Sequence, residues 1–385
     1  MRVPLLLPIT NEPRPYAWGS RSAIAQLRGV APSAEPQAEL WLGTHPGSPA
    51  RLVDAPVEGV ATLADWVERE QPSGSTGLPY LLKLLAADAP LSLQAHPTTE
   101  QASEGFEREN AAGIPLDAPE RNYRDPFAKP EVILALSDTF DALCGFRDAA
   151  DAEAAIAALA GSDPVIAQFA ARVGRERTAS IVEWLITRGP GVDDLVERVT
   201  RAAESADGID ADTVRLLAAH HPGDPGIVTA LLLNRVTLSR GEALFLPAGN
   251  IHAYLRGFGV ELMTASDNVL RGGLTLKHVD PRELLSVLRF DAVEVPRIQP
   301  REATHGVRVF RPEGVGFELS QVSPASETAI VPQSIVLCTA GRATVVSDDQ
   351  LVVLAPGEAL YVTADDSGAR VETDAAGEAF IASPA

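Results

Sequence analysis

An alanine-rich segment with helical spacing, set between two long stretches of short strand-like runs, constrains this chain more than any other feature of its 385 residues. From about 148 to 233, apolar side chains recur at helical intervals. Ile181, Trp184 and Leu185 make one stripe, and Val192, Leu195, Val196 and Val199 make another. Gly189-Pro-Gly191 and Pro222-Gly-Asp-Pro-Gly226 break the segment into several helices. Residues 1–145 read instead as loops and short strands. The runs 78–85 and 130–136 have strand length and are bracketed by turn residues. Strand signals resume at 235–238 and 241–247 and run to about residue 300, apart from a helix expected over 281–289 after Asp280. Short β runs then fill 303–385. The expectation is a mainly β protein in four stretches: 1–147, a helical insertion 148–233, 234–300 completing the first β unit, and 301–385 as a second.

One internal echo ties the two β units together. Ser239-Arg-Gly-Glu-Ala-Leu-Phe-Leu-Pro247 resembles Ala355-Pro-Gly-Glu-Ala-Leu-Tyr-Val-Thr363, each a Gly-Glu turn feeding a strand. The first copy runs on to His252. The second runs on to Asp365 and Asp366, read as surface residues, with no histidine. Chemistry is therefore expected in the first copy and none in the second, unless the short match is only two unrelated turns.

Composition bounds the partners. Apolar residues are 45% and charged residues 22%, the balance of a soluble globular protein. No apolar run has the length of a membrane span. The N-terminal leucines, boxed by Pro4 and Pro8, are too few for a signal peptide. Cys144 and Cys338 stand far apart without a CxxC companion, so a reducing cytoplasm is expected. A net charge of −20 argues against nucleic acid and anionic membrane surfaces, and any phosphorylated ligand needs a local basic pocket. Of 32 basic residues only Lys83, Lys129 and Lys277 are lysine. Against such a bias, a retained lysine points to chemistry that arginine cannot supply, with chance as the plainer alternative.

A metal constellation emerges from spacing. Gln94 and His96 are two apart in a strand-like run and share a face. Glu131 opens a strand after Lys129-Pro130, and His252 follows the Gly-Glu strand. Two imidazoles, a carboxylate and an amide suit a divalent ion such as zinc, without excluding manganese or cobalt. Spacing alone is weak here, since Q-x-H pairs are common and a lone histidine is more often structural.

Five ordered motifs make the reading specific: Tyr16-Ala-Trp-Gly-Ser20, Ala38-Glu-Leu-Trp-Leu-Gly-Thr-His-Pro46, Ser92-Leu-Gln-Ala-His-Pro97, Leu246-Pro-Ala-Gly-Asn-Ile-His-Ala-Tyr254, and Ala265-Ser-Asp-Asn-Val-Leu-Arg-Gly-Gly-Leu-Thr-Leu-Lys-His-Val-Asp280. Together they resemble the type I mannose-6-phosphate isomerase family. The resemblance implies a cupin jelly-roll catalytic domain with an all-helical insertion and a second, cupin-like C-terminal β domain. It implies a zinc ion held by Gln94, His96, Glu131 and His252, and functional roles for Ser92, Lys129, Glu261, Asp267, Arg271 and Lys277. The implied activity interconverts mannose 6-phosphate and fructose 6-phosphate in mannose metabolism and GDP-mannose supply. The implied partner is a small sugar phosphate, with the chain a monomer or small homo-oligomer. One departure stands out: many relatives have Asn-His before Lys-Pro-Glu, and this chain has Phe127-Ala128. Any acid–base role of that histidine is absent here.

Within that reading, Lys129 is the first candidate for proton transfer, because a neighbouring metal would favour loss of its proton, and Glu261 is the second. Arg271 is expected on anionic oxygen, with Gly272-Gly273 allowing the backbone close to a ligand. Lys277 and Ser92 are phosphate candidates. Lys83 either reaches phosphate or folds over the core. Asp267 with His96 is a ring-opening pair. Trp18, Glu39, Trp41 and His45 shape the wall, and His220-His221 reads as surface. Two other functions compete: a different sugar-phosphate isomerase of the same class, and a catalytically silent sugar-binding cupin.

Overall fold

The computed structural model describes residues 6–53, 59–70, 77–348, 350–366 and 368–385, so the reading of the first five residues lies outside it. The protein is mainly sheet, with ten α-helices among the described residues. None of the helices among them is long and apolar enough to cross a membrane.

The site is built on a ten-stranded sheet whose spine is the strand His252–Thr264. Its first half pairs with Leu93–Ala95 and Thr139–Phe146; its second half pairs with Tyr80–Ala87 and Glu131–Ala135. The partners change at a register shift between Tyr254 and Arg256, where the ladder bulges. Gly257, with φ +142°, follows the bulge; a Cβ there would lie 2.8 Å from the Phe140 Cα, so no other residue fits the corner.

Two-residue alternation then sorts the side chains. Leu93, Ala95, Ile251, Ala253, Leu255 and Leu270 pack into one apolar core with the helices of the insertion. Their neighbours Gln94, Tyr254 and Arg271 line a cavity. The other half repeats the pattern: Leu40, Leu82, Leu84, Val132, Val260 and Leu262 pack against the C-terminal unit, while Trp41, Lys83, Glu131 and Glu261 line the same cavity. A slip of one residue in any of these strands would exchange core for cavity.

The helical insertion runs from Ala149–Ala160 to Gly226–Thr229, with the expected stripes on Thr178–Ile186 and Val192–Ala203 buried at Ile181, Leu185, Val192, Leu195, Val196 and Val199. Asp280 caps the helix Pro281–Val287 by accepting from the Glu283 N–H at 3.0 Å. Residues 1–145 depart from expectation by holding the helices Ala23–Leu27, Leu63–Glu70 and Thr99–Ala111. The last has a full capping box, Thr98 accepting from Gln101 N–H and the Gln101 side chain accepting from Thr98 N–H. The signal was present, but apolar periodicity was not: only Ala102, Gly105 and Glu109 of this helix are buried.

The C-terminal stretch supplies six strands of an eight-stranded sheet, whose other two are Leu6–Thr10 and Arg51–Leu52, and all of a four-stranded one. Leu6–Thr10 joins the former, pairing with Ala359–Val362 across some 350 positions of sequence. The echoed turns coincide in detail. Gly241 and Gly357 have φ +81° and +82°, and the Glu242 and Glu358 carboxylates accept from Ser239 and Ala355 N–H at 2.8 and 2.9 Å. Each turn leads into a short strand, Ala243–Leu246 and Ala359–Val362. Asp365 is exposed, but Asp366 is buried, which corrects its reading as a surface residue.

Candidate active site and metal centre

His96, Glu131 and His252 converge at a fully buried point, each offering a ligand atom within 4.8 Å of the others. Both imidazoles are oriented from behind. His96 Nδ1–H donates to the Asn268 carbonyl at 2.7 Å, and His252 Nδ1–H donates to the Asn250 carbonyl at 3.0 Å. Each Nε2 lone pair is thereby turned on the carboxylate, His96 at 3.3 Å from Glu131 Oε1 and His252 at 3.5 Å from Oε2. Lone pairs facing lone pairs in a buried site repel unless a cation lies between them. In keeping with this, His96 Nε2 and Glu131 Oε2 are buried without hydrogen-bond partners. Burial pushes His96 down to about 4, keeping it neutral and ready to ligate. Gln94 is cross-strand neighbour to both His252 and Arg271, and its amide lies 3.2 Å from His252 Nε2. A half-turn of that amide presents its oxygen to the same point. The donor set fits a zinc-type ion with room for further ligands.

Above this point lies a cavity of about 940 Å³. Lys129 Nζ is 3.2 Å from Glu131 Oε1 and nearly buried. Glu131 itself is held well below the usual carboxylate range: burial alone would raise it, and Lys129 and His96 outweigh burial. Lys83 sits between Glu261, at 3.0 Å, and Glu39, at 3.8 Å, with its ammonium 5.1 Å from the Trp41 ring centroid. Burial alone would lower Lys83, but Glu261 and Glu39 prevail and hold it above its ordinary value. Glu261 is raised by burial, against the pull of Lys83, and its second oxygen accepts from Tyr254 O–H at 3.0 Å.

A basic group faces this floor. Arg271 and Lys277 line the cavity with Arg124, which sequence reasoning did not single out. Burial lowers Arg271, and Arg124 adds to it by like-charge repulsion; Lys277 is lowered by burial and then by both arginines. Such mutual repulsion is relieved by an anion. The helix Thr99–Ala111 delivers Arg124: Glu109 accepts from the Asn122 and Tyr123 N–H groups, and Asn268 Oδ1 accepts from Arg124 N–H at 2.7 Å. Nothing local in the sequence marks Arg124 among 29 arginines, but its loop is tied to the motif carrying Asp267.

The remaining candidates fall in the same place. Ser92 and Asp267 line the cavity, as do Trp18, Glu39, Trp41 and His45 of the expected wall. Two readings change. His220 and His221 are not merely surface: the end of a helix in the insertion brings them to the cavity lining. And Gly273 serves a close approach to protein, since a Cβ there would lie 2.9 Å from Asp224 Oδ1 and 3.1 Å from the Gly226 Cα of the insertion. Gly273 thus seats the helical insertion against the strand bearing Arg271.

A buried ligand triad, a lysine beside it, a carboxylate network and a basic rim can hold a divalent ion and an anionic, oxygen-rich molecule together. Comparison with known proteins agrees. The model of the phosphomannose isomerase type I catalytic domain matches residues 6–149. Mannose-6-phosphate isomerase of Escherichia coli (strain K12) is 37% identical over 379 residues, covering 94% of this chain and 96% of that protein. The Homo sapiens mannose-6-phosphate isomerase is 32% identical over 333 residues, 75% of this chain and 74% of its own. The crystal structure of mannose 6-phosphate isomerase from Salmonella typhimurium bound to its substrate, fructose 6-phosphate, and to zinc matches with a TM-score of 0.88 at 34% identity, covering 99% of this chain and 100% of that one. By fold, site and sequence along nearly its whole length, the chain belongs to the type I mannose-6-phosphate isomerase family.

Proposed function

We propose that this chain is an aldose–ketose isomerase interconverting mannose 6-phosphate and fructose 6-phosphate, with one zinc ion held by Gln94, His96, Glu131 and His252. The observation that carries the reading is the pair of imidazole lone pairs turned on the Glu131 carboxylate at the floor of a cavity that also gathers all three lysines. When bound, the ion acts as a Lewis acid on the oxygens at C1 and C2. The residues supply the rest. Lys129 moves the proton between C2 and C1, since Glu261 has both oxygens committed to Lys83 and Tyr254. Arg271 meets the anionic oxygen of the enediolate or of the phosphate. Lys277 and Ser92, with Arg124, hold the phosphate end. Lys83 fixes Glu261 and Glu39 rather than meeting substrate, and Asp267 serves ring opening.

The same reading assigns a cupin jelly roll to 1–147 and 234–300, a helical insertion to 148–233 and a cupin-like unit to 301–385, the last completed by Leu6–Thr10. We place the enzyme in the cytoplasm as a monomer or small homo-oligomer, with Cys144 and Cys338 buried and free. A coupled assay tests the activity. kcat/KM for mannose 6-phosphate is expected to exceed that for glucose 6-phosphate by at least about 100-fold, or about 2.7 kcal/mol. Equal values would reassign the substrate, and no turnover of either would leave a sugar-binding protein.

A further inference from the structure

His45 carries a tautomer fixed by the backbone, and its protonated nitrogen is the one that lies beside Asp267. The ring is 4% exposed and packs edge-on against Trp41, centroids 4.9 Å apart at 85°. The Gly47 N–H donates to Nδ1 at 3.1 Å. A nitrogen that accepts carries no proton, so the neutral ring holds its hydrogen on Nε2. Nε2 lies 3.5 Å from Asp267 Oδ1, a separation of the kind that shortens when a substrate closes the site. Gly47 lies close against the ring: a Cβ there would lie 3.2 Å from Nδ1, a tight contact, and 3.4 Å from the Trp41 ring. Asp267 is anchored on its other side, its N–H donating to Asp125 Oδ2 at 2.8 Å. Among the described residues, His45 is the one side chain within ion-pair or hydrogen-bond reach of the Asp267 carboxylate.

We propose that His45 is a positioning residue, whose Nε2–H aims the Asp267 carboxylate at the sugar ring and exchanges no proton itself. The inference rests on Asp267 acting in ring opening, as assigned above. It also means that His45 does not replace the imidazole absent at Ala128: protonating Nδ1 would break the Gly47 bond, and burial already disfavours the imidazolium, with Lys83 and Lys129 adding to it against Asp267 and Asp125. A base must gain and lose a proton, and this ring is arranged to do neither.

The test uses the zinc-loaded full chain, with metal content verified for His45→Leu, His45→Gln, His45→Asn, Asp267→Asn and the His45→Leu/Asp267→Asn double variant. His45→Leu should lower kcat at least about tenfold with KM changed less than about threefold, the pattern of misdirected chemistry rather than lost binding. His45→Gln keeps an N–H near the Nε2 position and should recover most of that loss. The double variant should be no slower than Asp267→Asn alone. If the leucine variant does not fold, the amides decide: glutamine at least about tenfold faster than asparagine supports the inference, and equal rates overturn it. Fully multiplicative losses in the double variant, or a normal kcat in His45→Leu beside an impaired Asp267→Asn, overturn it alone. A normal kcat in Asp267→Asn overturns it together with the role given to Asp267.

Discussion

Lys83 and Lys129 are both buried lysines beside carboxylates, and their surroundings separate them. Lys83 is clasped by Glu261 and Glu39 and stays charged. Among the described residues Lys129 has one carboxylate ion-pair partner, Glu131, which an ion held by the triad would also claim. Lys129→Arg should therefore keep metal and fold but lose about two or more orders of magnitude in kcat, because arginine cannot release a proton near neutral pH. A near-normal kcat with verified metal would move the proton to Glu261. Arg271→Lys should also be poorly tolerated, since an ammonium does not reproduce a planar fork. A raised KM with steady kcat would assign it to phosphate, a lowered kcat to the enediolate, and no change would remove it from the site. At this scale the sequence was informative where residue type was unusual. Lysine scarcity pointed at three residues that line the cavity, and strand spacing, with the family resemblance implying the same set, pointed at Gln94, His96, Glu131 and His252 as the proposed ligands. It was silent on Arg124, one arginine among many, and read His220 and His221 as surface, because their place depends on how the insertion docks.

At the scale of elements, alternation decides what faces the cavity, and alternation is local, so the strands Tyr80–Ala87 and Glu131–Ala135 could be read from their apolar runs. The helix Thr99–Ala111 was not legible because its buried residues, Ala102, Gly105 and Glu109, carry little apolar signal; a Cβ at Gly105 would meet the Tyr123 ring at 2.4 Å. Its capping box is the better marker. Thr98→Ala should cost about 1 kcal/mol of stability, read by urea denaturation, with kcat changed less than about twofold. A loss of metal in that variant would instead tie the cap to His96, two residues before it. Pairing of Leu6–Thr10 with Ala359–Val362 was not legible at all, because nothing in a five-residue strand names a partner so distant.

For the whole molecule, the metal-free protein should weaken in mild acid. Burial pushes His96 down to about 4, below the value of about 6.5 in an unfolded chain. A histidine held neutral in the fold gives stability that is complete above about pH 6.5 and drains away as pH falls toward 4, since the unfolded chain takes the proton first. The urea midpoint of chelated protein should thus be lower at about pH 5 than at about pH 7.5, and an unchanged midpoint would contradict a buried neutral His96. The C-terminal unit repeats the Gly-Glu turn without a histidine after it, so Asp365→Asn should leave kcat near wild type. Asp366 is unsuited to that comparison because it is buried.

The central claim is that a divalent ion between His96, Glu131 and His252 is needed for sugar-phosphate isomerisation. It is tested most directly by metal analysis joined to mannose 6-phosphate turnover before chelation, after it, and after zinc is restored. The account predicts about one ion per chain, activity lost on chelation and regained with zinc, and neither metal nor activity in a folded His252→Ala variant. Full turnover by a metal-free preparation would contradict it.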